Sequence, residues 1–244
     1  MLAADATDIP YVTTAQMIEV DRAMVEDYRI ELIQMMENAG RHLAHLARRR
    51  FLGGDARGKR VAVLAGGGGN GGGALVAARR LHNWGATVCV HLGKSGEAMA
   101  PVPARQLDIL RRMAVPIAAI GATPDGRFDL VLDGLIGYSL RGAPHGEMAA
   151  LIRWANRQQA PVLALDTPSG VDAGKGTAYD PAIRASVTLT LALPKRGFLA
   201  AEVKAYLGEL YVGDIGVPPS LYAAPALGLQ AGAWFARDEI VRLS

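Results

Sequence analysis

Eight consecutive residues, Gly66 to Gly73, hold seven glycines and a single asparagine, Asn70. They follow the apolar, β-branched run Val61 to Ala65 and precede Ala74 to Trp84, a segment with helical character. Strand, glycine loop and helix in that order strongly restrict the fold. Without Cβ atoms the loop lets backbone N–H groups approach a ligand closely, and the positive end of the following helix dipole favours an anion such as phosphate. A glycine loop can also do no more than close a tight strand-to-helix turn. Asn70, the one polar side chain in the tract, either stabilises a left-handed turn or points at a ligand or ion.

The rest of the chain repeats the strand-and-helix alternation. Two helices are expected before the tract, over Thr13 to Tyr28 and Glu31 to Arg50, each with apolar residues at helical spacing. Gly40 lies in the middle of the second, where glycine costs about 1 kcal/mol relative to alanine, so another backbone should pack closely against it. After the tract come strands at Thr87 to Leu92, Pro116 to Ile120, Phe128 to Leu132, Pro161 to Leu165, Ala185 to Ala192 and Glu209 to Val212. Helices over Pro103 to Met113 and Glu147 to Arg157 separate some of them, a pattern of βαβ units and a parallel sheet.

With 244 residues the chain suits one α/β domain: a helical flank at 1–55, a core at 56–220 and a C-terminal extension at 221–244. The formal net charge is only +3, and Arg48 to Arg50 read as a solvated helix end, so no nucleic-acid partner is expected. No apolar run reaches the roughly 18 residues of a membrane span, and the N-terminal MLAADATDIP lacks the basic start of a leader. These features suggest a soluble, cytoplasmic protein. The single cysteine, Cys89, reads as a buried strand residue, and the pair His42 and His45 as helix surface.

Three of the strands end in polar residues: Asn70 after the first, Asp133 after another, Asp166 and Ser169 after a third. In an open parallel sheet, ligands bind at the carboxyl ends of the strands, so these distant side chains can meet in one crevice. Each also has a plain reading as a cap or turn residue. Amide, carboxylate and hydroxyl oxygens suit an alkali or alkaline-earth ion, while the histidine and cysteine spacing suggests no zinc site. Ser169 has no partner motif for a nucleophilic triad, which leaves an acid–base carboxylate as the expected chemistry.

Several separated motifs resemble the YjeF N-terminal domain family, whose enzymatic members are NAD(P)H-hydrate epimerases. Met36 to Gly40 is similar to its LMENAG helix, Gly68 to Arg79 to GNNGGDGLVAAR, Asp133 to Gly137 to DALFG, and Asp166 to Gly170 to DIPSG. Pro194 to Gly197 is similar to PKPG and Asp214 to Pro218 to DIGIP. The resemblance implies an α/β, Rossmann-like three-layer sandwich with a mostly parallel central sheet, an N-terminal helical flank and a homodimeric state. It implies interconversion of the 6R and 6S hydrates of NADH and NADPH, with a bound potassium ion. Carried over by position, the potassium ligands would be Asn70, Asp133 and Ser169. Dinucleotide contacts would fall on Gly69, Asn70, Gly71, Gly72 and Gly73, on Gly137, Tyr138, Ser139, Leu140, Arg141, Gly142 and Ala143, and on Asp166, the expected catalytic carboxylate.

Two departures stand out. Where the family has Asn-Asn-Gly-Gly-Asp, this chain has Gly69-Asn70-Gly71-Gly72-Gly73, so one amide and one carboxylate are missing. A weakened or altered activity is one expectation, and a non-catalytic nucleotide-binding or scaffolding module is the alternative. The family's frequent fusion partner, a nucleotide-dependent dehydratase, is expected as a separate protein. Arg141 and Lys195 are expected as exposed surface charges.

Overall fold

The computed structural model describes residues 9–230 and 232–243. The leader reading of the first residues falls largely on positions 1–8, outside them. Two helices lead: α1 (Thr14–Glu26), capped by the Thr13 side chain and Gln16, and α2 (Leu32–Arg50). There follow β1 (Arg60–Ala65), α3 (Gly69–Asn83), β2 (Thr87–Leu92), α4 (Pro101–Arg112), β3 (Leu130–Gly134), α5 (Gly146–Asn156) and β4 (Val162–Leu165). A two-residue ribbon, β5 (Val171–Asp172) and β6 (Thr177–Ala178), precedes β7 (Val187–Leu191), α6 (Ala201–Leu207) and β8 (Glu209–Gly213). The chain ends in α7 (Pro219–Tyr222) and β9 (Ile240–Arg242).

Seven strands form one sheet in the order β2-β1-β3-β4-β7-β8-β9, parallel except for β9 at its edge. Alternate residues of β1 serve opposite faces, as strand geometry requires. Val61, Val63 and Ala65 join the core under α2, α3 and α4, whereas Ala62 and Leu64 join Leu151, Ile152 and Trp154 of α5. Helices on both faces of a mostly parallel sheet make the expected Rossmann-like three-layer sandwich. Met17, Val20 and Met24 pack the flanking α1 against the first of these cores.

Several boundaries differ from the sequence reading. Helix α3 starts at Gly69, with Gly68 as its N-cap, five residues before Ala74. Glycine is a poor helix former, but here tertiary packing decides. A Cβ on Gly71 would lie 1.9 Å from the carbonyl oxygen of Gly66, one on Gly72 would lie 2.4 Å from Met36 Sδ, and one on Gly73 would lie 2.8 Å from Leu165 Cδ2. The tract therefore lets a helix start press onto β1, α2 and β4. At Gly40 a Cβ would lie 2.4 Å from the carbonyl oxygen of Gly73, the close backbone approach anticipated for that residue.

The strand expected over Pro116 to Ile120 is reduced to one bridge between Ile117 and Val90, beside the edge strand β2. Asp133 lies inside β3 rather than after it, paired with Ala164 of β4. Cys89 is half-buried. His42 is buried, not on the helix surface, with Nε2 at 2.7 Å from the backbone oxygen of Asp214.

Candidate active site

The carboxyl ends of β1, β3, β4 and β7 open onto a cavity of about 820 Å³. Parallel register brings them together: Ala65 pairs with Gly134, Asp133 with Ala164, and Leu165 with Leu189. Helix α3 points its N-terminus at the same space, where Gly67, Gly68, Gly69 and Asn70 line the wall. Met17, Met35, Met36, Met99 and Met148 supply an adaptable apolar side suited to a flat heteroaromatic ring.

Asp166, directly after β4, is 4% exposed and lines the cavity. Its backbone has φ +62°, a left-handed conformation that aspartate tolerates better than most residues. Lys195 Nζ donates to Asp166 Oδ1 at 2.5 Å, and the Tyr138 backbone N–H donates to Oδ2 at 2.9 Å. The same ammonium donates to Thr190 Oγ1 at 3.0 Å and to the Leu191 carbonyl at 3.1 Å, so its three hydrogens are all engaged. Lys195 is fully buried. The expectation of an exposed surface charge is corrected: the aliphatic stem runs inside the fold because an acid 29 residues away meets its head. Arg141 is exposed as expected.

Tyr138 links two acids. Its backbone N–H serves Asp166, while its hydroxyl donates to Asp21 Oδ2 at 2.5 Å. Burial raises the Asp21 carboxyl above its ordinary value, although the Tyr138 hydrogen bond opposes that rise. Burial and the neighbouring Asp21 push the Tyr138 phenol well above the ordinary tyrosine range, so it remains a donor.

The second polar group lies just beneath. Ser169 donates to Asp133 through its backbone N–H, at 2.8 Å to Oδ2, and through its hydroxyl, at 2.6 Å to Oδ1. The Leu135 N–H adds 3.2 Å to Oδ1, and the Ile136 N–H donates to Ser169 Oγ at 2.9 Å. Asp133 is completely buried, and burial raises its carboxyl to about 6. Asn70, which lines the cavity, has both Oδ1 and Nδ2 buried with no hydrogen-bond partner among the described residues. Two orphaned amide atoms in a buried place call for a ligand, and oxygen donors of the amide, carboxylate and hydroxyl kinds are the chemistry that suits a hard cation. The missing side chain at Gly137 leaves room for Asp166 and Asn70, since a Cβ there would lie 2.9 Å from Asp166 Oδ2 and 3.4 Å from Asn70 Cγ.

The carried-over positions thus divide. Gly69, Asn70, Gly137, Tyr138, Ser139, Leu140, Arg141 and Asp166 line the cavity; Gly142 and Ala143 continue the loop outside its lining. Gly71, Gly72 and Gly73 are buried and face protein. Position 73 directs its side-chain space at Leu165 and Ala39, so the carboxylate missing there does not leave a gap in the cavity wall. Asp21 and Lys195 were missed as cavity residues. Asp21 had a signal in the sequence, because an acid stands beside Val20 on the stripe that runs from Met17 to Met24.

A parallel α/β sheet with polar groups converging at its strand ends defines a small-molecule binding domain of the Rossmann-like class. More specifically, the chain belongs to the family described as YjeF-related protein N-terminus, which matches residues 32–197. It is 44% identical over 224 residues to the "NAD(P)H-hydrate epimerase" of Dehalogenimonas lykanthroporepellens, covering 92% of this chain and 89% of that protein. It is 35% identical to the "Bifunctional NAD(P)H-hydrate repair enzyme Nnr" of Moorella thermoacetica, where 91% of this chain matches 44% of the longer protein. The crystal structure of the yeast protein ynu0 superposes with a TM-score of 0.79 at 25% identity, over 96% of this chain and 100% of the yeast chain.

Proposed function

We propose that this protein is an NAD(P)H-hydrate epimerase that interconverts the 6R and 6S hydrates of NADH and NADPH. The observation that carries the reading is Asp166: a buried carboxylate at a strand end, fixed by Lys195 and Tyr138, open to a cavity of nucleotide size. In the hydrate a hydroxyl stands on the ring carbon beside nitrogen. Its departure as water leaves a cationic iminium, and water added to the opposite face returns the other epimer. Both steps need proton transfer at oxygen, which Asp166 supplies at its remaining lone pairs. Its negative charge, held at a largely buried position, also favours the cationic intermediate.

Asn70, Asp133 and Ser169 would hold a potassium ion, which when bound would orient the loop around Gly137 and offset nearby negative charge. Gly67 to Gly69 and the α3 N-terminus are suited to a phosphate of the dinucleotide. A homodimer, the state the family resemblance implies, is part of this reading. The epimerised hydrate would pass to a separate dehydratase. A scaffolding role is less favoured, because a relative 44% identical over 89% of its own length carries the epimerase name. The test is the rate at which purified protein equilibrates separated 6R and 6S NADH hydrate in potassium buffer, beside Asp166→Ala. Fast equilibration lost in the variant is expected; no acceleration over buffer by folded wild-type protein would refute the reading.

A further inference from the structure

The cavity holds a second carboxyl that the motifs of this chain do not account for. Asp21 sits on α1, outside the segment 32–197 that matches the family, yet it lines the same cavity as Asp166. The other acids of this helix have an evident use. Glu19 and Glu26, together with Asp27 at its end, are gathered by Arg22 in an exposed network. Asp21 has no such partner: among the described residues its one hydrogen bond is the 2.5 Å contact from the Tyr138 hydroxyl to Oδ2. Its other oxygen receives no donor there. The titratable groups that face it are Tyr138, Asp166 and Lys195, together with Tyr222 of α7, the helix packed on α1.

We propose that Asp21 is the second acid–base carboxyl of this crevice, working on the face of the substrate ring opposite to Asp166. The inference rests on the epimerase reading and deepens it. Inversion at one carbon takes oxygen away from one face and returns it to the other, so a single carboxylate fixed by two hydrogen bonds serves one face well and the other poorly. Asp166 is so fixed, and Asp21 reaches the cavity from a different element.

In one direction the carboxylic form of Asp21 gives its proton to the departing hydroxyl. The C–O bond breaks with its electron pair going to oxygen, water leaves, and the ring-nitrogen lone pair forms the C=N bond of the iminium. A water on the other face then forms the new C–O bond while its proton passes to the Asp166 carboxylate. One proton has moved from Asp21 to Asp166, and exchange with solvent restores the start. The reverse reaction uses the two acids in exchanged roles. Two carboxyls placed in unlike surroundings are the arrangement such a division needs: one beside an ammonium, the other beside a phenol that stays protonated.

The test uses the intact chain and measures equilibration of separated 6R and 6S NADH hydrate across pH. The variants are Asp21→Asn, which keeps size and an acceptor for Tyr138, Tyr138→Phe, and Asp166→Asn as the reference. The expected result is a loss in kcat of about 100-fold or more in Asp21→Asn, with KM and Tm near wild type. Removing the Tyr138 hydroxyl takes away the bond that holds the Asp21 carboxyl down, so the alkaline limb of the kcat profile should move to higher pH in Tyr138→Phe. That shift decides the matter if Asp21→Asn does not fold. Wild-type kcat in Asp21→Asn, or an unmoved limb in Tyr138→Phe, overturns the proposal while Asp166→Asn still tests the parent reading. Inactive wild type removes both.

Discussion

Replacing Lys195 by methionine is the most informative single perturbation of this fold. The substitution keeps the aliphatic stem but removes the charge that meets Asp166 at 2.5 Å, in a pair whose side chains are 1% and 6% exposed. Thr190 Oγ1 and the Leu191 carbonyl lose a donor as well. Breaking a buried ion pair from one side costs about 3–5 kcal/mol, because the remaining charge stays desolvated. At about 2–4 °C per kcal/mol for a chain of this size, Tm should fall by roughly 6–20 °C. Asp166→Asn strands the ammonium instead and should also destabilise. The double variant Lys195→Met/Asp166→Asn leaves neither charge, so its loss should be smaller than the two single losses combined by at least about 1 kcal/mol. Calorimetry with urea unfolding on all four proteins measures the cycle. Additivity within about 0.5 kcal/mol, or an unchanged Tm in Lys195→Met, would refute the view that this pair is mutually dependent.

Three further outcomes are expected. Gly40→Ala should cost about 1–3 kcal/mol by overpacking, since the new methyl would lie 2.4 Å from both the Gly73 carbonyl oxygen and Val76 Cβ; Gly142→Ala, with nothing within 4 Å, should be neutral in the same thermal melts. Potassium should raise Tm above its value in sodium or lithium, by about 2.7 kcal/mol of stability at one hundred times Kd, and Asn70→Ala should abolish the difference; equal melting in all three salts would count against the site. Burial lowers His42 below its ordinary 6.5, so the folded state resists a proton that the unfolded chain accepts. Stability should therefore hold above pH 6.5 and fall as pH drops below it, and His42→Gln should flatten that slope in melts from pH 8 to 5.

Much of the fold was legible because βαβ units write their alternation of periods directly into the chain. Short, nearly uniform apolar runs marked β1 and β4, β-branched residues alternating with leucine marked β7, and Thr13 with Gln16 marked the start of α1 through its cap. The start of α3 was not legible, because five of its first residues are helix-averse and only contacts with Gly66, Met36 and Leu165 make their conformation favourable. Pro116 to Ile120 had strand composition but lies beyond an edge and keeps one bridge. At the cavity, strand-end logic pointed to Asn70 and Asp166, which line it, and to Asp133 and Ser169, which hydrogen-bond to each other. Lys195 was misplaced because a lysine's default is solvent, and the acid that draws it inward belongs to another strand. Asp21 was overlooked because a charged residue next to an apolar stripe looks like the edge of a solvated face until Tyr138 is seen above it.

The left-handed backbone of Asp166 narrows what mutation can do at this position. A β-branched or bulky side chain would bear conformational strain of about 1–3 kcal/mol before any effect on the reaction, so drift is confined largely to aspartate, asparagine and glycine. Of these, asparagine preserves the shape and one acceptor for the Tyr138 N–H while ending acid–base chemistry. A lineage that keeps the binding cavity but abandons turnover thus has a short path, a single replacement at residue 166, with loss of the Lys195 charge as the compensating second step.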